Sequence, residues 1–278
     1  MIHGFAPSPT AAEGPSGRAW WFVFSGNRLL VRMSEGRATM PAGEVMGELG
    51  LTALRQQYLG TLDGLPCYAV EVDKGAEAPP GMVFLGLRAL FDQMGESFFG
   101  VALTAVHLVE WDRTSLFCGR CGAGLTLRRD VRAKECGRCG YLVFPRISPA
   151  VIVLIERGDR VLLARAARFA DGFYSVLAGF VEPGESLEEA VLREVEEETG
   201  IMVKDISYFG SQPWPFPDSL MVAFTARYAA GEIRIDGKEI LDGQWFTAHD
   251  LPRIPGKISI ARRLIDWFIE KHGGNPVD

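Results

Sequence analysis

The segment Gly179–Ile201 has the sequence GFVEPGESLEEAVLREVEEETGI and decides the fold of the C-terminal half of the chain. Its first part is rich in glycine and predicts a loop, in which Gly179 and Gly184 permit the sharp turns that lead into a helix. Its second part predicts that helix over residues 186–199, with Gly200 ending it.

This helix places two of its glutamates on an unexpected face. At about 100° per residue, Glu198 lies about 40° from Glu194, and both share the arc of the apolar residue Val191. Glu189 and Glu196 lie on the other side of the helix, about 220° and 200° from Glu194. An ordinary solvated helix carries all its glutamates on that outer side. We therefore expect Glu194 and Glu198 to face the protein.

Two adjacent carboxylates that face inward repel each other and lose hydration, which costs several kcal/mol unless a cation compensates. Mg²⁺ or Mn²⁺ is the natural cation, because hard divalent ions bind carboxylate oxygens together with water and phosphate. Glu197 lies at the edge of this cluster, and Arg193 is expected to orient the carboxylates with Glu185 as its partner. The alternative is a surface helix supported by charge pairs four residues apart.

The same segment matches the pattern G-x5-E-x7-R-E-U-x-E-E-x-G-U, where U is a bulky aliphatic residue, and resembles the Nudix box of the Nudix hydrolases. The resemblance implies metal-dependent hydrolysis of a nucleoside diphosphate linked to another group, in an α/β/α sandwich with a mixed sheet. A Nudix domain that binds without catalysis is the alternative, although such domains usually show a broken box. The nine matching positions are Gly179, Glu185, Arg193, Glu194, Val195, Glu197, Glu198, Gly200 and Ile201.

Four of the five cysteines form the pattern C-x2-C-x14-C-x2-C, at Cys118, Cys121, Cys136 and Cys139. Two such pairs within a short segment are typical of one Zn²⁺ held by four thiolates. Because protein atoms would fill all four positions, the predicted zinc is structural rather than catalytic. Cys67 is left over and is expected to pack as a hydrophobic residue.

A proline-rich segment from Ser211 to Ser219, SQPWPFPDS, follows the helix. It resembles a motif of the NADH pyrophosphatases, a Nudix branch that also hydrolyses NAD caps on RNA and is homodimeric. Alternating prolines stiffen an extended loop, so that Trp214 and Phe216 can pack on a base or nicotinamide ring with little loss of entropy. Asp218 stands where this branch commonly has Gln. The implied substrate-binding residues are Gln212, Pro213, Trp214, Pro215, Phe216, Pro217, Asp218 and Ser219.

The resemblance, which runs from about Tyr58 to Phe268, implies four further site residues. Phe180 corresponds to a ring-stacking phenylalanine, with a core phenylalanine as the alternative. Glu239 corresponds to an additional metal-binding glutamate, with a solvated loop residue as the alternative. Ala178 and Ala261 correspond to positions that touch the substrate.

Periodicity, turn signals and the cysteine spacing predict an α+β domain over residues 1–111, a zinc ribbon over 112–145 and a second domain over 146–278. The resemblance implies that this second domain is the Nudix domain. No internal repeat is apparent. The expected strands lie at 20–31 and 58–72, each interrupted by a turn, and at 150–156, 160–164, 173–181, 206–210, 220–228 and 243–246, and the expected helices at 83–107, 186–199 and 258–271.

The charge distribution sets limits on partners. The chain of 278 residues has 29 basic and 35 acidic residues, a net charge of −6, which disfavours a globally basic nucleic-acid binder. Residues 112–147 are locally basic, and this patch either holds RNA phosphates or simply keeps the ribbon soluble. The chain has no apolar run of about 20 residues and no signal peptide, so we expect a cytoplasmic protein without membrane contact.

The sequence thus predicts a pyrophosphatase that cuts NAD(H) to NMN(H) and AMP and removes NAD caps from RNA. The metal-binding residues are Glu194, Glu197, Glu198 and Glu239. A Nudix hydrolase of ADP-ribose or FAD is one alternative, and a zinc-ribbon RNA-binding protein with an inactive Nudix domain is another.

Overall fold

The computed structural model describes residues 2–10, 17–43, 46–235 and 237–274. By internal contacts the chain divides into two units, Met1–Arg146 with Pro215–Pro217, and Ile147–Trp214 with Asp218–Asp278. Each unit contains both strands and helices, which confirms the expected mixed α+β class.

The first unit is built on a mixed sheet of eight strands. Its strands follow the order β1-β6-β7-β2-β3-β4, with β5 added to β2 and β8 added to β3. Strands β2 and β7 pair in parallel, whereas the other pairs are antiparallel. The elements are β1 Phe5–Pro7, β2 Ala19–Ser25, β3 Arg28–Ser34, β4 Arg37–Thr39, β5 Ala42–Gly43, a 3₁₀ helix Met46–Leu49, β6 Arg55–Leu62, β7 Leu65–Val72, β8 Val83–Gly86, α1 Leu87–Leu90 and α2 Glu96–Thr114.

The strands predicted at 20–31 and 58–72 are present, but the prediction of one helix over 83–107 is wrong in part. Residues 83–86 form strand β8, because the apolar sequence VFLG pairs with the edge of β3. Helix α2 begins only after Gly95 and continues to Thr114, since its buried stripe extends to Trp111. The helical signal was therefore correct for the second half of the segment.

The cysteine-rich segment forms a small antiparallel sheet in the order β11-β10-β9, from β9 Leu125–Leu127, β10 Lys134–Cys136 and β11 Leu142–Val143. A buried lysine links this sheet to the end of α2. The Nζ atom of Lys134 donates to the carbonyl oxygens of Asp112 and Ser115, at 2.7 and 2.8 Å, and forms an ion pair with the Asp112 carboxylate. Because both charged side chains are buried, each depends on the other for compensation.

The second unit has a mixed sheet between two helices. Its strands follow the order β15-β16-β12-β13-β17, with β14 added to β12, and β12 and β16 pair in parallel. Alternate residues of β12 enter two different cores: Val151 and Val153 pack with helix α3, whereas Ile152 and Leu154 pack with helix α4. The elements are β12 Ser148–Arg157, β13 Arg160–Ala166, β14 Leu177–Phe180, α3 Leu187–Thr199, β15 Met202–Trp214, β16 Ser219–Ala230, β17 Ile240–Thr247 and α4 Ile260–Lys271. This arrangement is the expected α/β/α sandwich.

The two sheets repeat one strand order. The order β6-β7-β2-β3-β8 in the first unit matches β15-β16-β12-β13-β17 in the second, with the parallel pair at the same place. No repeat is apparent in the sequence, because the two sheets share their strand order but no residue pattern.

Replacing Lys134 by Ala is expected to destabilise the first unit by about 3–5 kcal/mol, because it leaves the buried carboxylate of Asp112 without its cation. Urea unfolding followed by fluorescence measures the change. Lys74→Ala removes an exposed lysine from the same unit and serves as the control. A loss for Lys134→Ala no larger than that of the control contradicts the proposed role of the buried pair.

Candidate functional site

Helix α3 is fixed at both ends by local signals. The Ser186 hydroxyl accepts a hydrogen bond from the backbone N–H of Glu189, and the Glu189 carboxylate accepts one from the backbone N–H of Ser186. This reciprocal capping satisfies backbone donors that the first turn leaves without partners. At the other end Gly200 adopts φ 69°, a left-handed conformation that suits glycine. The predicted helix is confirmed, with Leu187 as its first residue.

The orientation of α3 follows the helical pattern. Glu198 is buried at 7% exposure, and the Glu194 side chain is 14% exposed. The Glu197 side chain is 61% exposed, and Glu189 and Glu196 lie at the surface. The helix therefore turns Glu194 and Glu198 toward the protein, as their positions on the wheel predict.

Gly179 makes room for one of these carboxylates. It lies in strand β14, where a Cβ atom would lie 1.8 to 2.1 Å from the carboxyl atoms of Glu194. The expectation that Gly179 permits a sharp turn is therefore wrong: the residue is extended, and the absent side chain allows the close approach of Glu194. Gly184 does form the expected turn, with φ 98°.

Arg193 connects the carboxylates to the loop. Its Nε and Nη2 atoms donate to the two carboxylate oxygens of Glu185, at 2.5 and 2.9 Å. Its Nη1 atom donates to Glu194 and Glu197, at 2.9 and 3.1 Å, and Nη2 also donates to the carbonyl oxygen of Phe180 at 2.9 Å. The expected role of Arg193, with Glu185 as its partner, agrees with this geometry.

Two carboxylates of this cluster, Glu185 and Glu194, have pKa values that are shifted in opposite directions. The Arg193 guanidinium, together with the backbone N–H of Glu182, lowers the pKa of Glu185 to about 2. Burial raises the pKa of Glu194 above its usual value, although Arg193 opposes this, and the negative charges of Glu197 and Glu239 raise it further. One guanidinium thus faces several carboxylates, and a site of hard oxygen donors with excess negative charge suits a divalent cation.

The segment 211–219 spans the end of β15 and the start of β16, where Trp214 pairs with Ser219. The expectation of an extended loop is wrong, because residues 215–218 form the turn that joins the two strands. The amide of Gln212 is used within the fold: its Nε2 atom donates to the carbonyl oxygen of Ile258 at 2.8 Å, and its Oε1 atom accepts from the backbone N–H of Ile260 at 2.7 Å. Gln212 therefore holds the start of α4, a role that its place in the motif did not indicate.

The remaining residues of this segment have different surroundings. The carbonyl oxygen of Asp218 accepts from the backbone N–H of Ser148 at 2.9 Å, and Ser219 is buried. The Phe216 ring lies 5.0 Å from the guanidinium carbon of Arg88, and both residues belong to the first unit. The residues around it share no single environment: Pro215 is buried, Trp214 is half-buried, and Pro213 and Pro217 are exposed.

Phe180 lies at the end of β14 and is 57% exposed, so the alternative interpretation of Phe180 as a core phenylalanine is wrong. Ala261 lies in the first turn of α4 and is buried, and the half-buried Ala178 packs in the same core. Glu239 is exposed, and its carbonyl oxygen accepts from the backbone N–H of Ala167 at 2.8 Å. Its charge acts on Glu194, which links it to the carboxylates of α3.

The four cysteines Cys118, Cys121, Cys136 and Cys139 are brought together, with all sulfur atoms within 4.8 Å of one another. The two pairs form equivalent turns. The backbone N–H of Gly122 donates to the carbonyl oxygen of Cys118, and that of Gly140 to Cys136, each at 2.8 Å. Both glycines have positive φ, 73° and 69°, as the tight turn requires. The cluster is a metal-binding site in geometry and donor type.

The thiols also differ in acidity. Backbone N–H groups of Cys139 and Arg138 lower the pKa of Cys136 to about 6, which favours the thiolate that a metal ion binds. Cys67 is fully buried, and burial raises its pKa to about 12. It is an inert packed residue, as expected.

Several basic side chains of the ribbon are paired or turned inward, so fewer of them are available at the surface than the sequence suggests. Lys134 is paired with Asp112, and Arg128 is held by Asp130 and Glu135. Arg132 points its guanidinium at backbone carbonyl oxygens. The arginines of the ribbon that remain exposed are Arg120, Arg129, Arg138 and Arg146.

Comparison with known proteins agrees with this geometry. The model of the NUDIX domain matches residues 146–268, and the model of the NADH pyrophosphatase-like rudimentary NUDIX domain matches residues 18–111. The chain therefore belongs to the Nudix hydrolase family and is an enzyme of that family. The second match also explains the repeated strand order.

The curated relatives include the NAD-capped RNA hydrolase NudC of Pseudomonas fluorescens (strain Pf0-1), 47% identical over 81% of this chain and 81% of the relative. The NAD-capped RNA hydrolase NudC of Stutzerimonas stutzeri (strain A1501) is 45% identical over 82% of each chain. Among solved structures, a NUDIX hydrolase from Nitrosomonas europaea is 25% identical, with a TM-score of 0.49, over 58% of this chain and 94% of that chain. The predicted resemblance to the Nudix branch of NADH pyrophosphatases is confirmed.

Among the described residues, none of the helices has the length and apolar character needed to cross a membrane.

Replacing Cys136 by Ser is expected to remove most of the metal ion that the cysteine cluster holds, because a thiolate of the tetrahedral set is lost. Elemental analysis of the purified protein measures the metal content, with about one cluster-bound ion per wild-type chain expected. Cys67→Ala is the control, since this cysteine lies outside the cluster. A wild-type chain without a bound ion contradicts the assignment.

Proposed function

We propose that this protein is a metal-dependent pyrophosphatase that hydrolyses NAD(H) to NMN(H) and AMP and removes NAD caps from the 5′ ends of RNA. The observation that carries the proposal is the inward pair Glu194 and Glu198 on the helix of an intact Nudix box. The names of the relatives support the choice of substrate, and so does the motif from Ser211 to Ser219.

The carboxylates Glu194, Glu197 and Glu198, with Glu239, are proposed to hold Mg²⁺ or Mn²⁺. The fit is supported by hard oxygen donors, by the burial of two of these groups and by the single guanidinium shared among several carboxylates. When bound, such ions lower the pKa of a coordinated water and offset charge on the pyrophosphate. One of these glutamates is proposed to accept the proton of the attacking water.

Arg193 and Glu185 are proposed to act as positioning residues. The bidentate contact between them ties the loop before α3 to the helix, and the third guanidinium nitrogen, Nη1, donates to Glu194 and Glu197. Because Arg193 also binds the Phe180 carbonyl oxygen, the same side chain sets the end of β14 relative to the carboxylates. Orientation of this kind reduces the entropy that must be lost on reaching the transition state.

The substrate is proposed to contact the exposed ring of Phe180 through its nicotinamide or base. Trp214 and Phe216 are proposed to supply further aromatic surface, with polar contacts from Gln212, Asp218 and Ser219. Pro213 lies in β15, and Pro215 and Pro217 lie in the turn between β15 and β16, where their fixed φ angles restrict the backbone. Ala178 and Ala261 are proposed to border the substrate.

Zn²⁺ is proposed as the ion of the cysteine cluster, with a structural role, since its four thiolates fill a tetrahedral site. We also propose that the protein is a homodimer in the cytoplasm. Its domain boundaries are proposed to lie at residues 111/112 and 145/146. The exposed arginines of the ribbon are proposed to contact RNA phosphates beyond the cap.

The substrate assignment is tested by comparing kcat/KM for NADH, ADP-ribose and FAD, with the products identified by chromatography. We expect NADH to be preferred and to yield NMNH and AMP. A preference for ADP-ribose or FAD contradicts the assignment, and binding of RNA with no hydrolysis of any dinucleotide would favour the RNA-binding alternative.

Glu198→Gln is expected to lower kcat by at least about 100-fold, because it removes a buried charge that offsets the divalent ion. Since each 1.36 kcal/mol of lost transition-state stabilisation lowers the rate tenfold, this corresponds to about 2.7 kcal/mol. Steady-state NADH hydrolysis measures the effect. Glu196→Gln makes the same change on the outer face of α3, and we expect it to keep activity within about twofold of wild type. Equal activity of the two variants excludes the inward pair as the metal site.

Gly179→Ala is expected to lower kcat/KM by about 100-fold, since the new methyl group displaces the Glu194 carboxyl and a shift of about 1 Å at a catalytic group has an effect of this size. Gly210→Ala is the control, because a Cβ atom there meets nothing within 4 Å. The same kinetic assay is used, with thermal unfolding to separate misplacement from loss of the fold. Full activity of Gly179→Ala would show that catalysis does not require the Glu194 carboxyl to lie close to the backbone of residue 179.

A further inference from the structure

A cavity of about 490 Å³ is lined only by residues of the first unit, and none of the described lining residues belongs to helix α3. It is bordered by the loop that joins β9 to β10, by the start of β6 and by the end of α2. Its size is within the range of small-molecule sites. The described residues that line it are Pro9, Thr10, Gln56, Gln57, Tyr58, Trp111, Leu127, Arg128, Arg129, Val131, Arg132 and Ala133, and no acidic residue is among them.

Arg132 brings a positive charge to this cavity without an acidic partner. Its Nη1 atom donates to the carbonyl oxygen of Tyr58 at 3.2 Å, and its Nη2 atom donates to those of Ser8 and Leu59, at 2.9 and 3.3 Å. Within the described part of the chain, no carboxylate forms an ion pair with it. Burial accordingly lowers the pKa of the guanidinium, which marks a charge that lacks full compensation.

Arg129 adds a second charge at the rim of the cavity. Its side chain is exposed and has no ion pair among the residues that the structure describes, while its carbonyl oxygen accepts from the Thr10 hydroxyl at 3.0 Å. Arg128 differs, because Asp130 and Glu135 balance its charge and hold it in place. The cavity therefore carries two positive charges, Arg129 and Arg132, that form no ion pair with the described carboxylates.

The other lining side chains suit a planar, polar ligand. Tyr58 is half-buried and provides aromatic surface, and Gln56 and Gln57 provide amide groups. Trp111 also borders the cavity but is itself buried. The Trp111 indole N–H is buried and has no acceptor among the described residues, which is uncommon for a buried tryptophan. Aromatic and amide groups beside guanidinium groups are the combination that recognises a base attached to a phosphate.

We propose that this cavity binds a phosphate-bearing nucleotide, with Arg129 and Arg132 on the phosphate and Tyr58 against the base. The nucleotide is either a free mononucleotide or one unit of an RNA chain, since both present the same groups. None of the lining residues belongs to the Nudix box, so binding in this cavity does not require the proposed hydrolysis. The RNA form of the proposal deepens the proposed contact between the ribbon arginines and RNA, because Arg129 serves in both.

The test is a calorimetric titration of the full-length protein, without added divalent metal, with 5′-AMP and separately with a short 5′-hydroxyl RNA. Arg129→Glu reverses the charge at the rim and is expected to weaken binding of at least one probe by about tenfold or more. Arg37→Glu makes the same substitution on an exposed strand of the same unit, outside the cavity, and is expected to match wild type. Because the carboxylates of α3 are unchanged in all three proteins, the difference between them reports the new cavity.

A loss confined to AMP supports a free nucleotide as ligand, and a loss confined to RNA supports a unit of a polynucleotide. Equal binding of both probes by wild type and Arg129→Glu overturns the proposal, as does the absence of binding to wild type. Thermal unfolding checks that Arg129→Glu is folded, and Arg129→Ala repeats the test if charge reversal destabilises the unit. No turnover is measured, so the result is independent of whether the protein hydrolyses NAD(H).

Discussion

The contact between the Arg193 guanidinium and the carboxylates around it is the interaction on which the catalytic half of the molecule depends. One planar group binds Glu185 in bidentate fashion, reaches Glu194 and Glu197, and binds the carbonyl oxygen of Phe180. A loop, a helix and a strand end are thereby set against one another. The carboxylates around Arg193 carry more negative charge than this one guanidinium can balance, and a divalent cation would offset the excess.

The features that the sequence predicts well are those with a local cause. The helix from Leu187 to Thr199 follows from its capping serine, its apolar period and Gly200, and the inward direction of Glu198 follows from that same period. The cysteine cluster follows from two short spacings that only a common ligand explains. In these cases, residues close together in the chain determine the structure.

The features that escaped prediction depend on residues far apart in the chain. Gly179 is required by a glutamate fifteen positions later, as the contact with Glu194 shows, and not by the turn it precedes. Gln212 supports helix α4 through Ile258 and Ile260, a contact that no pattern within its own segment reveals. Residues 83–86 form a strand because the edge of β3 is available to them. Pairing partners of this kind become visible only in three dimensions.

The repeated strand order has a consequence for how this chain arose. Between β13 and β15 the second sheet carries the reactive helix, whereas between β3 and β6 the first sheet carries two short strands and a 3₁₀ turn. A duplication of one ancestral domain would produce two such frames, of which only the second carries the helix of the Nudix box. The five-strand frame therefore forms in the first unit without that helix between its strands.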